Sequence, residues 1–330
     1  MATQEMDWRG PLGFACCGGA LLLIARTLLR RNTFDLRKVR ESDRDMIEEI
    51  TKDVYGGEDY VMNELSHWIQ AGHFYALARR SDDRVVAILN VELDASQTVG
   101  NCAGMRVHPA MGGRGLASRI VGEVKLAERN LKRFTYTTVS LNHASQRVAK
   151  KNGLVQTADI PYFRIAPVST KVDVLRGSVS DTLREWAIRL GNEIQRQGAS
   201  DHLTPCEPSN VMDTFHRMFP DLKQFVFRWC FLPAEQAEID LFAKEYHDFS
   251  AYVSDRVLSF GTLEDCTFTI VAHDGGSSEV LVHAKFWAEQ ASQNPEKDAI
   301  TIFLIRPQGS RDWSQAEFGE DRKILVFDRT

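Results

Sequence analysis

The stretch VHPAMGGRGLAS, Val107 to Ser118, places Gly112 and Gly113, then Arg114 and Gly115, directly ahead of a strongly helical run. Backbone N–H groups that converge on a helix start, with the helix dipole behind them, bind an anion without needing many cationic side chains. A phosphate is the ligand this spacing suits. The same glycines also serve a tight strand-to-helix connection that needs residues without a Cβ, so the flanking elements must decide between the two. The cysteines point to no chemistry of their own. Cys16 and Cys17 sit in an apolar N-terminal run, and Cys102, Cys206, Cys230 and Cys266 are scattered without metal-ligand spacing. Neither a disulfide framework nor a metal site is expected.

A chain of 330 residues, 43% hydrophobic and 26% charged, has the material for two packed domains. Its net charge of −5 provides no global basic field, which argues against nucleic acid as a partner and makes any phosphate binding local. From Gly10 to Ala25 there is no charge, and with Arg26 snorkelling the apolar run reaches Leu29, roughly the 20 residues a bilayer requires. Arg26, Arg30, Arg31, Arg37, Lys38 and Arg40 follow it, so the positive-inside rule leaves the bulk of the chain in the cytosol. Residues 1–33 are therefore a candidate membrane anchor, attached through residues 10–29. A signal peptide, an interfacial hairpin and a buried helix are the alternatives, and without insertion the chain is expected to be cytoplasmic.

The elements around the glycine turn follow from periodicity. Phe34 to Val39 reads as a strand, and Ser42 with Asp45 as a capping box for a helix carrying Met46, Ile47, Ile50 and Val54. Gly56 and Gly57 end it within the tight aromatic loop YGGEDY, and Asp59 to Gln70 forms a second amphipathic helix. His73 to Arg79 and Arg84 to Leu93 make a hairpin through Ser81, Asp82 and Asp83. Asn101 to Val107 is the strand that enters the glycine turn, and the helix beyond it buries Leu116, Ile120, Val124 and Ala127. Phe134 to Leu141 is a further strand, Asn142 to Lys151 a helix stopped by Gly153, and Gln156 to Ile165 the last strand region.

The second half reads as a helix from Ser180 to Gln197, then the polar segment GASDHLTPCEPS as a loop. A strand follows at Phe225 to Phe231, and a helix from Pro233 to His247 with proline in its first turn. Ala251 to Phe260 and Cys266 to His273 make a strand pair, Glu279 to Gln290 a helix, and Ala299 to Ile305 and Lys323 to Phe327 the final strands. This order echoes the first half without its phosphate turn.

Two sets of residues carry a resemblance. Val107, Pro109, Gly115 and Ala117 resemble the V-x-P and Q/R-x-x-G-x-G/A pattern of the GNAT superfamily of N-acetyltransferases, with Gly112 where Arg or Gln is usual. Asn142, Ser145, Val148, Lys151, Gly153 and Leu154 resemble that superfamily's second motif, with Ala149 replacing its tyrosine. The resemblance covers about Phe34 to Ile165. YGGEDY, GMRVHP and the long C-terminal half are, more narrowly, similar to the histidine N-acetyltransferase-like group. The implied architecture is an α/β (α+β) GNAT fold over residues 34–167, with a central mixed, mostly antiparallel sheet flanked by helices. A second, degenerate GNAT-like α/β domain follows at residues 175–330.

The resemblance also implies a chemistry. Acetyl-CoA is the co-substrate, its pantetheine arm against Met105 and Val107, its pyrophosphate on the amides of Gly113, Arg114, Gly115, Leu116, Ala117 and Ser118, and Asn142 near the arm. The acceptor is a small amine, plausibly a free amino acid such as histidine, with Tyr55, Glu58, Asp59 and Tyr60 lining its pocket and Arg106 or Arg164 available to a carboxylate. An ammonium must lose a proton before it attacks, and Glu92, Asp94 and His108 are the candidate acceptors, of which Glu92 and His108 are carried forward as catalytic. Ala103 stands where the histidine N-acetyltransferase-like group has a glutamate, and with Ala149 the thiolate leaves without the usual tyrosine donor; Tyr55, Tyr136 and Tyr162 are the alternatives. Ala103, Gly112 and Ala149 also support a rival reading, a catalytically weakened acyl-CoA-binding or membrane-tethered interaction protein.

Overall fold

The computed structural model describes residues 33–57, 59–165, 203–264, 266–272, 277–291, 300–305 and 323–328. The candidate anchor at residues 10–29, Glu58 and the helix expected at residues 180–197 lie outside them. Among the described residues no helix is long and apolar enough to cross a membrane. The chain divides into two compact units, each discontinuous in sequence: Met1–Asn90 with Gly104–Val124, and Val91–Ala103 with Lys125–Thr330.

The first unit begins with β1 (Phe34–Lys38), α1 (Arg44–Thr51), α2 (Val61–Ala71), β2 (Phe74–Arg79) and β3 (Val85–Leu93). It continues through the later part of β4 (Val99–Val107) into α3 (Leu116–Ala127); the boundary between units falls within β3, β4 and α3. β2 pairs antiparallel with both β1 and β3. Helix α1 buries Ile47 and Ile50, α2 Val61, Leu65 and Trp68, and α3 Leu116, Ile120, Val121 and Val124, as helical spacing requires, whereas Ala127, expected inward, is exposed in the last turn of α3. The expected capping box is displaced. Asp43, not Ser42 or Asp45, receives the Arg40 N–H at 2.8 Å, and Asp43 is itself buried against the Arg37 guanidinium at 2.7 and 2.8 Å. An available cation selected one carboxylate among several capping candidates.

The second unit adds β5 (Arg133–Val139), α4 (His143–Lys151), β6 (Val155–Ile165), β7 (Thr204–Cys206), α5 (Val211–Met218), β8 (Gln224–Phe227), β9 (Cys230–Pro233) and α6 (Gln236–Glu245). β10 (Ser250–Val253), β11 (Val257–Thr262), β12 (Thr267–Ala272), α7 (Ser277–Ala291), β13 (Ile300–Ile305) and β14 (Lys323–Asp328) complete it. Its strands run in the order β4-β5-β14-β6-β13-β12-β11-β10-β7. β4 and β5 are parallel, joined from Val99↔Arg133 to Cys102↔Tyr136. β12 and β13 form a second parallel pair, joined from Thr267↔Thr301 to Val271↔Ile305 around the crossover helix α7. The most C-terminal described strand, β14, is inserted antiparallel between β5 and β6, while the far end of β6, Tyr162 to Ile165 in register terms, pairs with β13.

Several expectations for this half are corrected. The run Phe225 to Phe231 is a hairpin, β8 and β9, because Arg228 and Trp229 both take positive φ and reverse the chain. Trp229 is held there by ring contacts with Tyr162 and Phe303 at centroid distances of 5.1 and 5.3 Å. Pro233 ends β9 rather than opening a helix, and α6 begins at Gln236. The segment read as a loop contains β7, with α5 following it, and the expected strand pair after α6 is three strands. Two aromatic-rich clusters form the core of this unit, one about Phe215, Phe225, Phe227 and Phe260, the other about Phe268, Trp287 and Leu304.

Candidate active site

In the first unit, β4 exits through His108 into a short 3-10 turn, Pro109–Met111, and then the glycines. Gly113 and Gly115 have φ of +71° and +76°, and at neither would a Cβ meet any atom within 4 Å. The turn is left-handed in backbone and open in space. Arg119 donates to the Gly115 carbonyl at 3.0 Å, so the helical ladder starts there and the first-turn amides precede it. This cradle fits a pyrophosphate: its donors are main chain, and the space a side chain would fill is clear. Arg114 is exposed beside it, Met105 and Val107 are half-buried on β4, and Ala117 and Ser118 are half-buried on α3.

Both ring nitrogens of His108 have a polar neighbour, but only Nδ1 is hydrogen-bonded. Nδ1 accepts from the Ala110 N–H at 3.2 Å, which assigns the proton to Nε2, and buried Nε2 lies 3.3 Å from Glu49 Oε1 without the alignment of a hydrogen bond. The backbone N–H of His108 donates to the Val86 carbonyl at 2.9 Å. Taking a substrate proton at Nδ1 would cost the Ala110 bond, so the geometry favours a role in holding the turn. Glu49, on α1, was not singled out in the sequence; His108 and then Arg84 hold its carboxyl below the usual range.

The aromatic loop holds Tyr55, at φ +52° and exposed, and Tyr60. Asp59 is buried and paired in a fork with Arg106, at 2.7 and 2.9 Å, and the Arg106 guanidinium stands 5.3 and 5.5 Å from the Tyr55 and Tyr60 ring centres. Burial opposes the charge on Arg106, but the Asp59 bonds outweigh it and raise its pKa. Asp59 and Arg106 thus bind each other. Gly104 explains how β4 accommodates this. Its φ is +58°, an irregularity within the strand, its N–H donates to Tyr60 Oη at 3.1 Å, and a Cβ there would lie 2.5 Å from the Trp68 ring.

In the second unit Glu92 accepts from the Cys230 thiol at 2.9 Å. Asn142 caps α4, its Oδ1 taking the Ser145 N–H at 3.0 Å, and it is exposed. Ala149 is fully buried, and Tyr136, a candidate proton donor, shares a 2.6 Å hydrogen bond with Ser145. Tyr162 is buried against Trp229. Asp94 is buried and accepts the Thr98 and Val99 N–H groups at 2.7 Å each, so it fixes the loop between β3 and β4. A second polar cluster went unremarked in the sequence: His283 lies between Ser259, at 2.7 Å from Nδ1, and Ser254, at 3.2 Å from Nε2. Burial pushes its pKa down to about 3, so it is a neutral bridge.

The same unit contains a titrating carboxyl. Glu238 is 1% exposed; Oε1 accepts the Ala95 N–H at 3.0 Å, whereas Oε2 has no partner. Burial, opposed by that bond and reinforced by Asp94 and Glu235, pushes its pKa from 4.5 up to about 7. The folded state therefore binds this proton more tightly than the unfolded chain, and stability is lost as pH rises from 4.5 through 7. A change of that size corresponds to about 3 kcal/mol. Urea unfolding at pH 5 and pH 8 should show this loss in the wild type and not in Glu238→Gln; equal pH slopes would show Glu238 to be solvated.

Residues 44–154 match the profile of the acetyltransferase (GNAT) family. The match covers less than half of the chain. The GNAT match spans α1 to the end of α4, including the glycine turn. Solved structures show the fold over most of the chain. A candidate acetyltransferase of Thermoplasma acidophilum is 16% identical with TM-score 0.55, covering 89% of this chain and 99% of its own. A GCN5-related N-acetyltransferase of Sphaerobacter thermophilus is 10% identical with TM-score 0.55, covering 90% and 96%. A candidate acetyltransferase of Pyrococcus horikoshii is 11% identical with TM-score 0.53, covering 90% and 89%. A search of curated proteins finds no match. The GNAT family's general reaction is acetyl transfer from acetyl-CoA to an amine. Among the described residues no group of side chains is arranged to hold a metal ion.

Proposed function

We propose that the chain is an acetyl-CoA-dependent N-acetyltransferase acting on the amine of a small molecule, with a free amino acid such as histidine as the acceptor class. The observation that carries this is the open left-handed turn at Gly113 and Gly115 inside the GNAT-matched segment. In this reading the amides of Gly113 to Ser118 take the pyrophosphate, Arg114 adds a cation, and Met105, Val107 and Asn142 attend the pantetheine arm. The neutral amine nitrogen attacks the thioester carbonyl carbon directly; the new C–N bond forms, the C–S bond breaks, and coenzyme A leaves as thiolate. The amine's proton passes to Glu92, and His108 keeps the turn in shape. Tyr55 and Tyr60 face the acceptor, with Asp59 and Arg106 setting the loop.

The reading assigns the coenzyme to residues 34–167 and a supporting role to a GNAT-like domain at residues 175–330. β12 and β13 are paired over five consecutive residues, which leaves no gap between them there for an added strand. The acyl-CoA-binding alternative draws on Ala103, Gly112 and Ala149, the last of which is fully buried where the resemblance expects a proton donor. Incubation with acetyl-CoA and a mixture of amino acids, read by mass for acetylated products, separates the two. Gly115→Glu puts a side chain and a negative charge where phosphates bind, and should weaken coenzyme A binding by more than tenfold in calorimetry. Unchanged affinity would refute the placement.

A further inference from the structure

Resting on the reading of Glu92 as the proton acceptor, we propose that Cys230, from the β8–β9 hairpin, is the positioning residue that orients Glu92. Its thiol donates to Glu92 Oε2 at 2.9 Å and receives the Asn101 Nδ2–H at 3.4 Å. Asn101 is fixed in turn, because the hydroxyls of Thr135 and Thr137 both donate to its Oδ1 at 3.0 Å. The chain of bonds runs from β5 through β4 and β9 to the end of β3. Every link is a side chain with a defined direction, and Asn101, Thr135 and Cys230 are buried.

Two further observations support a positioning role. The hairpin that carries Cys230 is strained, with Arg228 at φ +47° and Trp229 at +68°, neither a residue that takes this conformation cheaply. Rings hold it in place: Trp229 packs on Tyr162 and Phe303, and the Arg228 guanidinium lies 5.0 Å from the Tyr246 ring centre and 3.6 Å from Glu245. The thiol is also unsuited to attack on a thioester. Burial first, then the Glu92 charge, raises its pKa well above the ordinary thiol value, with Arg228 and Asn101 opposing, so it stays protonated and remains a donor. A donor to the carboxylate stabilises the ionised form of Glu92.

The test compares full-length wild type, Cys230→Ser, Cys230→Ala and Glu92→Gln by coenzyme A release across pH, with coenzyme A affinity as the control for folding. Cys230→Ser retains a donor and should stay within about threefold of wild type with the same pH profile. Cys230→Ala should lower kcat about tenfold, leave KM for acetyl-CoA unchanged, and move the acidic limb of kcat/KM to higher pH. A wild-type profile in Cys230→Ala together with a dead Glu92→Gln overturns this inference alone. Full activity in Glu92→Gln overturns the assignment of Glu92 and this inference with it. Independent of turnover, the infrared S–H stretching band that disappears in Cys230→Ser should shift in Glu92→Gln; a band that does not move overturns the hydrogen bond.

Discussion

Deleting residues 323–330 should leave a chain that cannot complete its sheet and that aggregates. β14 is bonded on both sides, from Ile324↔Val139 to Asp328↔Thr135 with β5 and from Lys323↔Pro161 to Asp328↔Val155 with β6. Its removal uncovers two strand edges at once, each a row of unpaired N–H and C=O groups and a template for pairing with other chains. It also removes Val326, which is fully buried, and the ion pair between Arg133 and buried Asp328. The expected result is a chain in the void volume on size exclusion, with loss of the cooperative thermal transition. Val326→Asp should produce the same outcome without shortening the chain, since it places a charge at a site with no partner. A monomeric deletion variant with a cooperative transition would show that β5 and β6 can close on each other.

Asp59→Ala should destabilise the first unit by about 3–5 kcal/mol, the usual cost of leaving a buried charge uncompensated. Arg106 has little access to water, with 13% of its side chain exposed against 2% for Asp59, and the two share a forked pair of hydrogen bonds. Removing the carboxylate strands the guanidinium between the Tyr55 and Tyr60 rings, and an arginine cannot shed its proton to escape. Asp59 also receives the Val61 N–H at 3.3 Å, so α2 loses an anchor at its start. Replacing both residues, Asp59→Leu with Arg106→Met, should recover most of the loss. Urea midpoints for the wild type and the two variants decide it. A loss below about 1 kcal/mol for Asp59→Ala would mean that the pair is solvated, as exposed pairs are.

The sequence made the glycine turn and its flanking elements legible for a physical reason. Left-handed turns demand glycine, and α3 and α4 bury residues at helical spacing, so local pattern and final structure agree at Gly113, Gly115, Leu116 and Asn142. What stayed hidden depends on partners distant in sequence. Nothing local marks Cys230 as a partner of Glu92, 138 residues away, or selects Asp43 over Ser42 as the cap. Asp59 and Arg106 each look available to a substrate in the sequence, and the fold pairs them with each other. The β8–β9 hairpin escaped because an Arg-Trp turn carries no glycine signal; tertiary ring contacts impose the conformation. Periodicity reports what a residue prefers, and it is silent on which neighbour arrives to satisfy it.

The place of β14 also sets a timetable. β6 ends at Ile165 and β14 begins at Lys323. At ordinary rates of synthesis the ribosome needs roughly 10–30 s to make the intervening stretch. For that interval β5 and β6 are already made and await a strand that has not yet been made. Until β14 arrives, the nascent chain carries two unpaired edges at once, the state in which strand pairing with other chains is easiest.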